Sequence, residues 1–448
     1  MALSLAEVVR QFKADVGLAL SPTVIVRLCQ SAGYVWRKRI LDPVTTIHVF
    51  LVQILHGNTA CTGLPHLAGF SFTAAAYCAA RLRLPLTLFE DLLEFLTDAV
   101  TPQIDQTGRW RGHRTWLVDG SGFSMSDTPA LQAHFGQPGG QAPGCGFPVA
   151  RILGLFHAGT GLLLRVIAAP LRTHDLAMVE RVHPDMAPGD VLVGDRGFAS
   201  YAHLALLFQR GLHGVFRCHQ KQIVNFRRGR KHTRQHNSRK GLPRSRWVRR
   251  LGRWDQLVEY IKPTSKPAWL APAAWDALPS TLLVRETRYL TSQRGRRTRV
   301  ITLVTTLIDG SAYPADELAE LYQSRWRVEL NFRHLKTTLG MDVLHCRTVD
   351  GVTKELLMFA IVYNLIRLVM LEASRRQRVP AERISFIDAW RWLRTAQPGT
   401  PLPALVVNPD RPDRIEPRVL KRRMKEYPLM KKPRAELRNA LMGKTLAA

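Results

Sequence analysis

The chain has 448 residues, 46% of them hydrophobic and 22% charged; this is ordinary globular usage, so wholesale disorder is excluded, and the length suits about two or three units of roughly 150 residues each. Its 64 Lys and Arg against 35 Asp and Glu leave a net charge of +29. Such an excess repels itself and is relieved on a polyanion whose condensed counterions it displaces, which points to nucleic acid, with a ribosomal or merely solubilising basic surface as the other reading of charge alone.

The first residues, MALSLAEVVRQFKADVG, carry charges where a secretion signal needs an apolar run, so export is not expected. From residue 4 to about 100 the pattern is helical, with apolar runs Thr45 to Leu55 and Leu92 to Val100 broken at Pro43, Gly57, Gly63 and Pro85. A helical N-terminal DNA-binding domain over 1–105 is the expectation, although no helix-turn-helix signature names it. Near residue 114 the texture turns β-rich: Thr115 to Val118, Val149 to His157, Leu162 to Ala168 and Val191 to Gly194. The Gly/Pro-rich loop Gly136 to Pro148 carries no phosphate-loop signature. A helix is expected around His174 to Val182, where His174 and Asp175 read as a cap rather than as catalytic groups. Three strands, a helix and a fourth strand describe a mixed sheet flanked by helices, an α/β core whose first part is placed at 106–215.

Past Phe216 the chain becomes basic, and Arg227 to Arg253 contains twelve Lys or Arg and no acid. Strand-like runs return at Leu257 to Ile261, Thr281 to Leu290 and Arg299 to Leu307, so 216–310 reads as a basic β-rich insertion, with a disordered basic loop as the lesser alternative for its first half. Helices are expected at Ala315 to Lys336, Thr348 to Arg375 and Ile384 to Thr395, giving a second part of the core at 311–375 and a helical C-terminal region at 376–448 with a basic tail, Arg418 to Arg438. Within these, the apolar stretch Leu356 to Leu371 is interrupted by Asn364 and Arg367 and reads as a buried helix rather than a membrane span. Six cysteines without a CxxC pair (Cys29, Cys61, Cys78, Cys145, Cys218, Cys346) indicate neither a zinc module nor a disulfide framework, and they suit a reducing cytoplasm.

Asp119 follows the apolar run Thr115 to Val118, and Asp195 follows Val191 to Gly194 in the run Gly194-Asp195-Arg196-Gly197-Phe198. Aspartates delivered by neighbouring strands can share a hard divalent cation such as Mg²⁺, although a strand followed by Asp-Gly is more often a turn. On a helix advancing about 100° per residue, Tyr322, Arg325, Glu329 and Lys336 fall in a stripe roughly 60° wide. That stripe reads either as a solvated face with an i, i+4 ion pair or as a third carboxylate with its cations, completing a two-metal site.

The pattern Tyr-x2-Arg-x3-Glu-x6-Lys, with Asp119 and the GDRGF run at Asp195, resembles the insertion-sequence 4 (YREK) group of DDE transposases, from about Arg114 to the basic tail. The resemblance implies a ribonuclease H-like fold with a β-rich insertion between the second Asp and the Glu. It implies that Asp119, Asp195 and Glu329 are catalytic and bind two Mg²⁺ ions, which Mn²⁺ can replace, and that Tyr322, Arg325 and Lys336 hold DNA. The expected activity is cleavage of transposon ends and strand transfer by a bacterial, nucleoid-associated protein. Its partners would be the terminal inverted repeats and target DNA, with a homodimer needed to cut two ends together and no membrane involved. Relatives stack a flipped base on an aromatic of the insertion, for which Trp254, Trp269 and Trp275 are candidates. A nuclease that cuts without joining and a domesticated DNA-binding protein are the rival readings.

Overall fold

A computed structural model describes residues 17, 20–101, 108–233, 241–291, 299–409 and 430–445. The junction expected near 105, the middle of the basic stretch and most of the basic tail lie outside the described residues.

The core is one mixed sheet. β1 (Thr115–Met125), β2 (Val149–His157) and β3 (Leu163–Pro170) form an antiparallel meander, and β4 (Val191–Gly194) and β5 (His213–Arg217) join the other edge of β1 in parallel. The order 3-2-1-4-5, three antiparallel strands followed by two parallel ones, is that of a ribonuclease H-like core. β6 (Arg244–Gly252), β7 (Asp255–Ile261), β8 (Thr281–Thr291) and β9 (Arg299–Thr305) are antiparallel, and β9 pairs with β5, so the basic β-rich segment continues the core sheet. The short β10 (Val343–Leu344) pairs with the far end of β1.

β6 is the strand that the basic stretch conceals. Two register irregularities break its alternation, and Arg244, Arg246, Arg249 and Arg250 are exposed along it, while buried Ser245 accepts from the Thr233 N–H and donates its own N–H to the Thr233 hydroxyl. Charges on an outer strand also discourage edge-to-edge pairing.

Helices Pro22–Ser31, Pro43–Leu55 and Ala74–Arg83 start at side-chain caps on Ser21, Asp42 and Thr73, and Leu86–Asp98 follows Pro85. Pro43–Leu55 and Leu86–Asp98 pack directly against the 29-residue helix Val349–Gln377, and Pro22–Ser31 packs on those two; beside them Asn58 donates to Glu355 (2.6 Å) and Lys354 to the Leu82 carbonyl (3.2 Å). Their apolar residues share one core with the sheet. The long helix is apolar enough to cross a membrane, but 89% of its apolar window is buried inside the protein. Asn364 ties it to the sheet by accepting from the Leu163 N–H and donating to its carbonyl, both at 2.8 Å. One turn on, Arg367 bonds the Thr160 carbonyl and lies over Gly161, which leaves no room for a Cβ there.

Candidate active site

The strand expected over Thr115 to Val118 runs on to Met125, so Asp119 lies inside β1 rather than at its end. What ends at this point is its parallel neighbour. The β1–β4 pairing stops at Val118 and Gly194, and β10 takes up the same edge only at Ser124. The gap between these two pairings opens a cavity of about 310 Å³ lined by Asp119, Gly120, Ser121, Glu329, Arg333 and Lys336 among others. Asp195, the residue after β4, is level with Asp119 by extension of that register. Its Oδ1 accepts from the Gly197 N–H at 2.6 Å, as Asp119 Oδ1 accepts from the Gly120 N–H at 2.8 Å.

The helix expected over Ala315 to Lys336 is divided. Ala315–Ser324 ends at Arg325, Trp326–Arg333 follows, and a π-helical turn, His334–Thr338, closes the run. At the first break Ser324 Oγ donates to the Leu321 carbonyl (2.6 Å), and the backbone tightens into i+3 bonds from Tyr322 to Arg325 and from Arg325 to Val328. Because of the break and the π turn, an ideal 100° projection no longer describes the stripe. Its members still converge: Glu329 and Lys336 line one cavity with Asp119. Phe332 sets the depth by packing over Gly154, the β2 partner of Asp119, where a Cβ would stand 3.0 Å from its ring.

Arg325 lies between the acids. Its Nη1 is 3.3 Å from Asp119 Oδ2 and its Nη2 is 2.9 Å from Glu329 Oε1. Burial pushes the Asp119 carboxyl up to about 6, against the lowering effect of the Gly120 N–H and Arg325, and the charges of Asp195 and Glu329 add to the rise. Tyr322 is buried, and its phenol is raised first by desolvation; Asp195 raises it further, while Arg325 and Arg217 lower it. Lys336 pairs with Asp342 at 3.4 Å. As placed, no three His, Cys, Asp or Glu side chains among the described residues form an ion-holding group. The donor set nevertheless fits a hard cation: Asp119 feels the charges of both Asp195 and Glu329, and a guanidinium already stands between Asp119 and Glu329.

His174 caps helix Asp175–Val179 by accepting from the Leu176 N–H, and Asp175 pairs with Arg151, so both have structural work. Of the three tryptophans, Trp275 is buried, Trp269 packs on the core, and Trp254 is 45% exposed in the β6–β7 turn with Arg253 and Arg288 against its ring. Trp326, passed over in the sequence, is 58% exposed between Arg325 and Arg327. An aromatic between two arginines was the available signal.

A ribonuclease H-like sheet with acids at the ends of its central parallel pairing is the framework of an enzyme that cuts or joins polynucleotides. The family model described as "Transposase DDE domain" matches residues 110–365, and the chain belongs to this family. It is therefore a transposase, an enzyme that acts on DNA, of a family that generally uses divalent metal ions. The transposase InsG of insertion sequence element IS4 from Escherichia coli K12 is 24% identical over 71% of this chain and 70% of its own length. A probable transposase of element IS5377 from Geobacillus stearothermophilus is 34% identical over 20% of this chain and 23% of its own. A solved piggyBac transposase synaptic complex with hairpin DNA covers 87% of this chain and 76% of that one at 11% identity, with a TM-score of 0.39.

Proposed function

We propose that the chain cuts double-stranded DNA at the ends of its own element and joins those ends to target DNA, with Asp119, Asp195 and Glu329 as the metal-binding carboxylates. The observation that supports this reading most directly is Arg325 spanning Asp119 and Glu329, in the gap that β4 leaves beside β1. Two Mg²⁺ ions, or Mn²⁺ in their place, would supply activation of a water or 3′-hydroxyl and stabilisation of the leaving oxygen. The protein's own part is positioning. The strands hold the two aspartates level, the Gly154 contact sets the depth of Glu329, and the Gly120 and Gly197 N–H groups fix the carboxylate rotamers.

Arg325 exchanges partners in this scheme. With the acids neutralised by cations, its guanidinium is released to a DNA phosphate, beside Tyr322 and with Lys336 across the cavity. Trp254 and Trp326 offer exposed rings on which an unpaired base can stack, and a hairpin excision step would use one of them. The helical region up to about residue 105 and the basic tail recognise the inverted repeats, and two copies assemble on DNA to cut both ends.

Glu329→Gln tests the assignment. It should abolish Mg²⁺-dependent cleavage of end DNA and strand transfer of precut ends, while end binding in a mobility-shift assay survives. Metal-dependent cutting by that variant at the parent's rate would remove Glu329 from the site. Cleavage by the parent without strand transfer would instead favour a simple nuclease.

A further inference from the structure

The two aspartates are not alone at the ends of the parallel strands. Val118, Gly194 and Phe216 are paired across β1, β4 and β5, and one residue further along each strand stand Asp119, Asp195 and Arg217. A cation thus completes the row of acids. Arg217 is paired in turn with Leu303 of β9, and Leu303 with Thr287 of β8. Alternate residues of a strand share a face, so Tyr289, two residues beyond Thr287, lies on the same side of the sheet. Helix Ala315–Ser324 packs against β4, β5 and β8 and brings Tyr322 to this corner, where Arg217 acts electrostatically on the phenols of both Tyr322 and Tyr289.

Two groups in this corner lack a partner. Arg217 is half-buried, and its guanidinium makes no hydrogen bond or ion pair among the described residues. The Tyr289 hydroxyl is buried with no hydrogen-bond partner among the described residues. A buried donor such as the Tyr289 hydroxyl is rarely left unpaired in a finished structure, and the Arg217 guanidinium beside it is a charge still free to take an anion. Both groups can donate, one of them is charged, and Asp195 borders them, so they fit an acceptor-rich anion that enters once cations have neutralised the aspartates.

We infer that Arg217 and Tyr289, with Tyr322, form a phosphate subsite that holds the non-bridging oxygens of a DNA phosphodiester next to the one being cut. The subsite rests on the active-site reading above. It places Arg217 and Tyr289 as positioning residues: the Arg217 fork grips the phosphate from β5 and Tyr289 donates a further bond from β8, on the Asp195 side of the site, away from the Asp119–Glu329 cavity.

The test uses the full chain and short duplexes of the end sequence flanking its gene, each with one phosphate replaced by a neutral methylphosphonate, cleaved by the parent, Arg217→Ala, Tyr289→Phe and Glu329→Gln. Arg217→Ala and Tyr289→Phe should each slow cleavage of unmodified DNA roughly 10- to 100-fold, with thermal unfolding of both proteins unchanged. At one phosphate the methylphosphonate should slow the parent by a similar factor and slow Arg217→Ala no further. Equal losses for parent and variant at every phosphate, or undiminished cleavage by both variants beside an inactive Glu329→Gln, would overturn the subsite and leave the active site standing. If Glu329→Gln cuts normally, it is the active-site reading that fails.

Discussion

Burial of Asp119 ties the chemistry to pH. With its carboxyl pushed up to about 6, the folded chain keeps a proton that an unfolded chain releases near 4. The stability this provides is complete below about pH 4 and is lost as pH rises through about 6. A divalent cation takes only the ionised form, so its affinity climbs over the same window. Mg²⁺ should therefore raise the melting temperature much less at about pH 5 than at about pH 7.5, and Asp119→Asn should flatten that difference. A metal shift equal at both pH values in the parent would separate Asp119 from the metal. Arg325 works in the same window from the other side, because its charge lowers the Asp119 carboxyl while it occupies the gap that a cation would enter.

Among the elements, the long helix Val349–Gln377 does the most to hold the site together. It carries the N-terminal helices on one flank and pins the β2–β3 turn on the other through Asn364 and Arg367. Asn364→Ala would leave the Leu163 N–H and carbonyl buried without partners, a loss of about 2–6 kcal/mol at roughly 1–3 kcal/mol for each buried group. The urea midpoint should fall accordingly, with an unchanged slope. A midpoint shift within error would mean that water or a backbone movement replaces the amide. The divided helix from Ala315 to Thr338 is the other element on which function depends, since its break at Arg325 turns the guanidinium across two acids. π-helical turns such as the one at Lys336 recur at functional sites, where they re-aim a side chain without ending the helix.

At the scale of the whole molecule the charge of +29 predicts steeply salt-dependent DNA binding. Arg249 and Arg250, exposed on β6, test whether the edge of the extended sheet contributes. Their joint replacement by Ala should lower the slope of log affinity against log salt by about 2, uniformly across DNA sequences, in fluorescence anisotropy titrations. An unchanged slope would move the DNA track off this edge. Because β9 joins β5, a load on β6 is carried by the same sheet that holds Asp119 and Asp195.

Periodicity and charge made much of this legible in the chain itself. The limits of β2 and β4, the end of the helix Phe386–Thr395 at Thr395, the capping role of His174 and the polyanionic partner follow from local pattern, because local hydrogen bonding and side-chain alternation decide them. The spacing of Tyr322, Arg325, Glu329 and Lys336 likewise marked the family. β6 stayed hidden, since register irregularities and outward arginines erase the alternation that betrays a strand. The row Asp119, Asp195, Arg217 was equally invisible: three residues far apart in the chain become neighbours only when parallel pairing sets their register. Arg217 belongs to no local motif, and only the folded sheet shows it half-buried near Tyr289, with no ion pair to an acid among the described residues. Short-range order was written in the residues, whereas the meeting of distant charges was decided by tertiary packing, because the energy of two charges depends on the space between them and not on their separation along the chain.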